Sequence, residues 1–217
     1  IISSLKKEGA SGLILFSSGT TGEPKAMIHN LDNLIDSYKN KKSKKLVFLI
    51  FLMFDHIGGI NTLLNCLSMG ATMVFPVNRN PDHVCSIVEK YKVNILPASP
   101  TFLNLILISE AHKKYNLSSV RMITYGTEPM PESLLGKLKD AFPRVRFLQT
   151  FGTSETGITQ TVSKSSTSTL IKIDDPNTEY KIVDSELWLR SKTQILGYLN
   201  YNMEMFKELE GNLIKVL

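Results

Sequence analysis

The sequence predicts an α/β fold, a parallel sheet flanked by helices, with a β-rich lobe at the C-terminal end. Three observations predict it. Apolar runs of strand length alternate with helix-length amphipathic segments from Leu13 to Thr150, the pattern of strands joined by helical crossovers. Glycine and proline fall where an element must stop or start, as at Gly70, Pro76 and Pro81, since neither residue continues a helix or strand easily. After Ile158 the helical period is lost and short strand-like runs replace it.

Leu13 to Phe16 has the length and character of a buried strand. Asn30 can cap a helix that carries Leu31, Leu34, Ile35 and Tyr38 on one face, and the lysines beyond it end that helix. Leu46 to Met53 reads as a second strand, Ile60 to Leu67 as a helix stopped at Gly70, and Ala71 to Phe75 as a third strand stopped at Pro76. Pro81 opens a helix with Val84, Ile87, Val88 and Tyr91 on its inner face. Val93 to Leu96 is a short buried strand, Pro100 to Ile108 an apolar helix, and Val120 to Tyr125 a strand. Pro131 to Phe142 is a helix and Val145 to Thr150 the last strand of the core. Ser163 to Thr169 is a hydroxyl-rich surface loop, and Glu179 to Val183 and Glu186 to Arg190 are short strands around Asp184 and Ser185. The expected division is an α/β core over 1–162 and a β-rich lobe over 163–217.

A chain of 217 residues suits one domain, or one and a half, and can bury a core. Lysine and arginine number 25 against 20 acidic residues, a net charge of +5 that Lys39, Lys41, Lys42, Lys44 and Lys45 alone account for. Such a cluster can touch phosphate or anionic lipid, but it is read here as a solvated loop. It has no arginine or aromatic residue with which to stack a base, so no nucleic-acid partner is expected. Cys66 and Cys85 stand apart without metal-ligand spacing, which points to a reducing, cytoplasmic setting. The most apolar segment, Leu46 to Phe54, is nine residues, less than half of the ~20 that a helical span needs, so no membrane span is expected. No export leader is recognised, and the start at Ile1 reads as that of a fragment or trimmed chain. The sequence carries no signal for an oligomeric state.

Four loops carry candidate chemistry. Leu13 to Lys25, LILFSSGTTGEPK, empties an apolar run into small and hydroxylated residues closed by a lysine. Gly19 and Gly22 let backbone N–H groups approach an anion, Ser17, Ser18, Thr20 and Thr21 add hydroxyl donors, and Lys25 adds a mobile cation. A Walker loop is excluded, because Pro24 precedes the lysine and Ala26 follows it, so no hydroxyl is placed for magnesium. Phe151 to Gly157, FGTSETG, combines a ring, three hydroxyls and one carboxylate; it can stack a base, bond a phosphate and hold a hard cation, or simply start a helix with Thr153 or Ser154 as cap. Tyr125 to Pro131, YGTEPMP, reads equally as a strand-to-helix turn with Pro131 at the first helical position. His56, in Phe54 to Gly59, follows an apolar strand, where a single histidine is more often structural; Asp55 beside it can orient the ring or cap the helix. The Ser17, Gly126 and Phe151 loops all follow strands, and in parallel sheets ligands sit beyond strand carboxyl ends.

SSGTTGEPK resembles the phosphate-binding signature of the adenylate-forming superfamily, which includes acyl-CoA synthetases and the adenylation domains of peptide synthetases. The other loops keep that family's order. FGTSETG resembles its aromatic-Gly-x-Thr-Glu motif with Ser154 in the threonine position, and YGTEPMP its Gly-Gly-Glu-Pro loop with Thr127 replacing a glycine. Phe54 to Gly59 resembles its His-x-x-Gly element, VNILPASP its strand-to-helix segment, and ELWLRSKTQILGYLN its Gly-Glu-Leu…Gly-Tyr-x-Asn stretch. The likeness runs from Leu13 to about Gly211, and implies the core of the N-terminal domain of an acyl-activating enzyme.

The resemblance implies ATP-dependent activation of a carboxylic acid, fatty or aromatic, to an acyl-adenylate, followed in the full enzyme by thioester formation with CoA or the phosphopantetheine of a carrier protein. It implies that Ser17, Ser18, Gly19, Thr20, Thr21, Gly22 and Lys25 hold the β- and γ-phosphates, and that Gly126, Thr127 and Glu128 wall the adenine slot. Phe151 and Gly152 then lie against the adenine, Ser154 bonds the α-phosphate, and Glu155 binds Mg²⁺. Ser154, Glu155 and Lys25 are thus the groups on the reacting phosphates, although Lys25 belongs to the phosphate loop and is not the family's C-terminal catalytic lysine. His56, Gly58, Tyr125 and Gly152 are implied to line the acid site, and Phe102, Leu103, Leu105, Ile106 and Leu107 either line an acyl tunnel or form plain core. The family's ribose-binding Thr-Gly-Asp, its hinge, its C-terminal domain and most of its N-terminal subdomain have no counterpart here, so an incomplete fragment with little or no activity alone is expected. The alternative is a non-catalytic nucleotide-binding or scaffold module built on the same fold.

Overall fold

A computed structural model describes residues 1–17, 23–39, 41–165 and 168–200, together with the backbone of 208–209 and 213–215. Helix α1 (Ile2–Glu8) stops at Gly9, which takes the left-handed φ of 65°, and leads into the strands β1 (Gly12–Ser17) and β2 (Lys25–Asn30). Asn30 accepts the Asn33 N–H at 3.1 Å and so caps α2 (Leu31–Asp36). β3 (Val47–Leu49), α3 (Ile57–Met69), β4 (Thr72–Val74), α4 (Pro81–Tyr91), β5 (Ile95–Ala98) and α5 (Pro100–Ile108) follow in strict alternation. After α6 (Ala111–Lys114) come β6 (Met122–Tyr125), α7 (Glu132–Ala141) and β7 (Arg146–Gln149). The remainder is strand: β8 (Phe151–Thr153), β9 (Gly157–Thr159), β10 (Thr161–Ser163), β11 (Ile171–Ile173), β12 (Thr178–Val183), β13 (Glu186–Ser191), β14 (Gly197–Tyr198), β15 (Glu208–Leu209) and β16 (Leu213–Lys215).

β4-β3-β5-β6-β7 form a parallel sheet, and the expected α/β class is the one found. Alternate residues face opposite sides. Leu49, Leu96, Ile123 and Phe147 meet Val84 and Val88 of α4, Leu103 and Ile106 of α5, and Leu135 and Leu138 of α7 in the main core. Phe48, Ile50 and Ile95 face the other way and meet Cys66 of α3. The α5 residues Phe102, Leu103 and Ile106 are therefore part of the main core, while Leu105 is exposed.

Several expectations need correction, among them the strand read over Leu46 to Met53, of which only Val47–Leu49 pairs in the sheet. Leu13 to Phe16 is a strand but not a buried one: β1 pairs antiparallel with β2, from Gly12 opposite Asn30 to Ser17 opposite Lys25, and stands outside the parallel sheet. Leu15 faces a small core with Met27, Leu34, Ile57, Ile195 and Tyr198, whereas Ile14 and Phe16 face outward at 45% and 63% exposure. Tyr91 is exposed rather than inward, because α4 has turned past the sheet by its last residue. Pro131 is the N-cap of α7, not its first residue.

The C-terminal strands are tied back to the core. β14 pairs with β2, the β10–β11 hairpin sets Thr161 opposite Ile173, and β12-β13-β16-β15 form a separate antiparallel sheet. Asp184 and Ser185 turn the β12–β13 hairpin with φ of 51° and 65°, the backbone that a two-residue turn matching the strand twist requires. Of the Ser163–Thr169 loop, residues 166 and 167 lie outside the described residues.

Candidate active site

A cavity of about 50 Å³ lies at the carboxyl ends of β5 and β6, against the first turn of α3. It brings together five of the residues singled out in the sequence, His56, Gly58, Gly126, Thr127 and Gly152, and adds Asn61, Thr62, Thr124 and Thr150, which were not. It shares Asn61, Thr62, Thr124 and Ile158 with a groove of about 580 Å³ over the α3 side of the sheet. Phe48, Ile95, Met122 and Leu148 line that groove, with Tyr38 and Lys41 at one margin. The Tyr38 hydroxyl donates to Asn61 Oδ1 at 2.7 Å, and burial pushes its phenol up to about 12.

Backbone geometry fixes the walls. His56, not Asp55, caps α3: its Nδ1 accepts the Gly58 N–H at 3.1 Å, so the neutral ring carries its proton on Nε2. A Cβ at Gly126 would stand 2.6 Å from Thr150 Oγ1 and 2.9 Å from the Thr150 carbonyl, so only glycine fits between the ends of β6 and β7. A Cβ at Gly152 would run into the Gly157 carbonyl and the Ile158 backbone. Thr127 takes φ 71°, a left-handed backbone that a β-branched residue adopts only under strain.

Two implied site residues point elsewhere. Tyr125 is buried in the core on the helix-covered side of β6, because its neighbour Thr124 takes the cavity face. The Glu128 carboxylate is engaged by the first turn of α5, accepting the Thr101 N–H at 2.9 Å and the Thr101 hydroxyl at 2.7 Å. Phe151 is half-buried in β8 opposite Thr159, beside Gly152.

The segment 151–157 is a hairpin and not a helix start. Thr153 Oγ1 accepts the Thr156 N–H at 3.1 Å across the Ser154-Glu155 turn, and Gly157 leaves the turn at φ 78°. The Glu155 carboxylate accepts the Tyr198 hydroxyl at 3.0 Å, and the Glu155 carbonyl accepts the Ile195 N–H at 2.7 Å. Lys25 Nζ lies 5.7 Å from the centre of the Tyr198 ring, within cation–π range. The lysine that closes the phosphate loop and the carboxylate of the second motif thus meet on one tyrosine. Burial, then the charge and hydrogen bond of Glu155, push the Tyr198 phenol well above its ordinary value, so it remains a donor. His29, wholly buried in β2, hydrogen-bonds the Thr193 carbonyl through Nδ1 at 3.2 Å. Burial lowers the pKa of that imidazole, while the backbone of Thr193 and Ser154 and the Glu155 charge oppose the shift.

Ser17 and Lys25 face each other as the last pair of the β1–β2 ladder. Ser18, Gly19, Thr20, Thr21 and Gly22 lie outside the described residues. Among the described residues there is no group of three or more His, Cys, Asp or Glu able to hold a metal, so no all-protein cage is built around Glu155. That suits a Mg²⁺ whose other ligands are phosphate oxygens and water, since magnesium takes one or two carboxylates in such sites. Also among the described residues, no helix is long and apolar enough to cross a membrane.

A parallel sheet with a strand-end cavity, flanked by hairpins that carry a lysine and a carboxylate, defines the N-terminal core of an adenylate-forming protein. Residues 6–199 match the family described as AMP-binding enzyme, and the chain belongs to that family. It is 31% identical over 210 residues to 4-coumarate–CoA ligase-like 9 of Arabidopsis thaliana, a match covering 86% of this chain and 37% of the relative. It is 30% identical over 222 residues to 4-coumarate-CoA ligase 1 of Narcissus pseudonarcissus, covering 89% and 40%. The fold superposes on the luciferase-like enzyme of the nonluminescent mealworm Zophobas morio with a TM-score of 0.76 at 24% identity, over 94% of this chain and 53% of that one. The chain spans about two-fifths of the length of these curated relatives.

Proposed function

We propose that this chain is the nucleotide- and acid-binding core of an enzyme that activates a carboxylic acid with ATP, forming an acyl-adenylate and releasing pyrophosphate. The observation that carries the proposal is the cavity in which His56 and Gly58 face Gly126, Thr127 and Gly152, since a carboxylate brought to it beside His56 abuts the loops read as adenine walls. The acid's carboxylate attacks the α-phosphate, so the protein's task is alignment and the balancing of phosphate charge. Lys25 and the Ser17–Gly22 loop hold the outer phosphates, Ser154 bonds the α-phosphate, and Glu155 holds Mg²⁺. The metal supplies charge neutralisation on the phosphates. His56, with Nδ1 committed to its own helix, offers Nε2–H to the acid as a positioning donor, and no side chain acts as nucleophile. Glu128 serves the adenine wall indirectly, by fixing the loop that holds Gly126 and Thr127.

The substrate proposed is an aromatic propenoic acid of the 4-coumarate kind, supported by the names of the relatives; a fatty acid is the second candidate. The acceptor is the thiol of CoA or of a carrier protein's phosphopantetheine, in a cytoplasmic setting. The 1–162 core is assigned the binding of nucleotide and acid, and the lobe from 163 onward the support of Glu155. Pyrophosphate exchange into ATP, measured on the full chain with 4-coumarate, cinnamate, decanoate and an amino acid, tests the reading. Weak exchange that depends on 4-coumarate and Mg²⁺ and is lost in Glu155→Ala is expected. Binding of ATP with no exchange for any acid would favour the non-catalytic module instead.

A further inference from the structure

The segment from Thr193 to Asn200 belongs to neither motif, yet it bonds to both. On one side the Ile195 N–H reaches the Glu155 carbonyl at 2.7 Å and Thr193 Oγ1 donates to the Thr156 carbonyl at 3.1 Å. On the other, β14 pairs with β2, and the Leu196 and Leu199 N–H groups reach the Ile28 and Ala26 carbonyls at 2.7 and 2.9 Å. Two side chains then act at the functional residues themselves. Asn200 brackets Lys25, accepting the Ala26 N–H through Oδ1 and donating to the Pro24 carbonyl through Nδ2, both at 2.8 Å. Tyr198 donates to Glu155 and presents its ring to Lys25.

We infer that Tyr198 and Asn200 are positioning residues that set the Glu155 carboxylate and the Lys25 ammonium at a fixed separation, Tyr198 by orienting the carboxylate and Asn200 by fixing the backbone on both sides of the lysine. Tyr198 is 9% exposed within the small core of Leu15 and Met27, where phenylalanine would pack as well. The hydroxyl is therefore explained by its partner and not by its volume, because a buried O–H is tolerated when it finds an acceptor. A hydrogen bond to an ionised carboxylate is short and strong and selects one rotamer of the acid. Groups that orient a metal-binding carboxylate act on the affinity for the metal, which falls about 10- to 100-fold when such a partner is removed.

The inference rests on the proposed ATP–Mg²⁺ reading, and binding measured by calorimetry separates the two. Tyr198→Phe retains the ring beside Lys25 and removes only the hydroxyl. It should keep the wild-type melting temperature and metal-free ATP affinity, and lose about 10-fold or more of the gain in ATP affinity that Mg²⁺ confers. Asn200→Ala should weaken ATP with and without Mg²⁺ by the same factor, leaving the gain unchanged. In a Glu155→Gln background Tyr198→Phe should add nothing to the loss, because the two residues act as one unit. Wild-type Mg²⁺ dependence in Tyr198→Phe, or additive losses in the double variant, would overturn the inference while leaving the function standing. Absence of ATP binding by the wild-type chain would overturn both.

Discussion

Glu128 and Thr101 are joined by two hydrogen bonds, the carboxylate accepting the Thr101 N–H at 2.9 Å and its hydroxyl at 2.7 Å, so the loop after β6 caps the first turn of α5. The carboxylate also faces the positive end of that helix. These bonds, with a lesser one from Ser99, hold the Glu128 carboxyl below its ordinary value of 4.5.

A pH dependence follows from that lowered pKa. A carboxyl with a depressed folded pKa contributes stability above its unfolded value and loses it as pH falls through the folded one. Glu128 is only partly buried, so after solvent screening the contribution is about 0.5 kcal/mol. Urea denaturation of wild type and Glu128→Gln at pH 7 should show that difference, and the two curves should converge as the pH is lowered well below 4.5. A gap that persists in acid would mean that the bonds do not depend on the charge.

Thr127 lies one position before this carboxylate, at φ 71°, a backbone that favours glycine. Thr127→Gly removes a branched Cβ from the left-handed region, which costs on the order of 1–3 kcal/mol, against a backbone-entropy cost of ~1 kcal/mol. The variant should therefore be more stable by roughly 1 kcal/mol, read as a raised urea midpoint at unchanged slope. Thr127 lines the cavity, so with its side chain removed bulkier acids should also be accepted. A lowered midpoint would show that the Thr127 hydroxyl, which donates to the Gly126 carbonyl at 2.5 Å, outweighs the strain.

Gly152 has no such latitude. A methyl group there meets the Gly157 carbonyl and the Ile158 backbone across the β8–β9 hairpin, and neither can rotate away. Gly152→Ala should cost about 1–3 kcal/mol as an overpacked site and push the hairpin and its Glu155 turn out of place. ATP binding should fall at least as far as in Glu155→Ala. Normal binding in a stable Gly152→Ala protein would mean that the hairpin opens freely and does not set the turn.

Elements with local start and stop signals were legible in the sequence. Ser99-Pro100 at the head of α5, Asn80-Pro81 at the head of α4 and Gly70 behind α3 act through backbone geometry within a few residues. β2, β8 and β14 carry no such signal, because strands of two to six residues exist by virtue of partners distant in sequence. The candidate site divides the same way. His56, Gly126, Gly152 and Glu155 stand in motifs whose chemistry is written locally, and three of these four line the cavity. Tyr198 was visible only as part of a Gly-Tyr-x-Asn stretch, since its meaning lies in Glu155, 43 residues earlier. Tyr125 lies away from the cavity because a strand alternates: its neighbour Thr124 reaches the cavity and the tyrosine sits in the main core.

The same alternation gives a test of β1, whose four apolar residues read as buried on both faces and are found buried on one. Leu15 is 5% exposed against Met27 and Tyr198, whereas Phe16 is 63% exposed. Truncating a buried leucine costs about 2–5 kcal/mol through lost transfer energy and the cavity left behind; truncating a solvent-facing ring costs less than ~0.5 kcal/mol. Leu15→Ala should therefore lower the urea midpoint clearly while Phe16→Ala leaves it nearly unchanged, with the buried Trp188 as the fluorescent reporter. Because Leu15 packs in the same small core as Tyr198, Leu15→Ala should also weaken MgATP binding, and Phe16→Ala should not. Equal destabilisation by the two variants would mean that a further layer covers the outer face of β1, and would return the strand to the two-sided burial that its composition suggests.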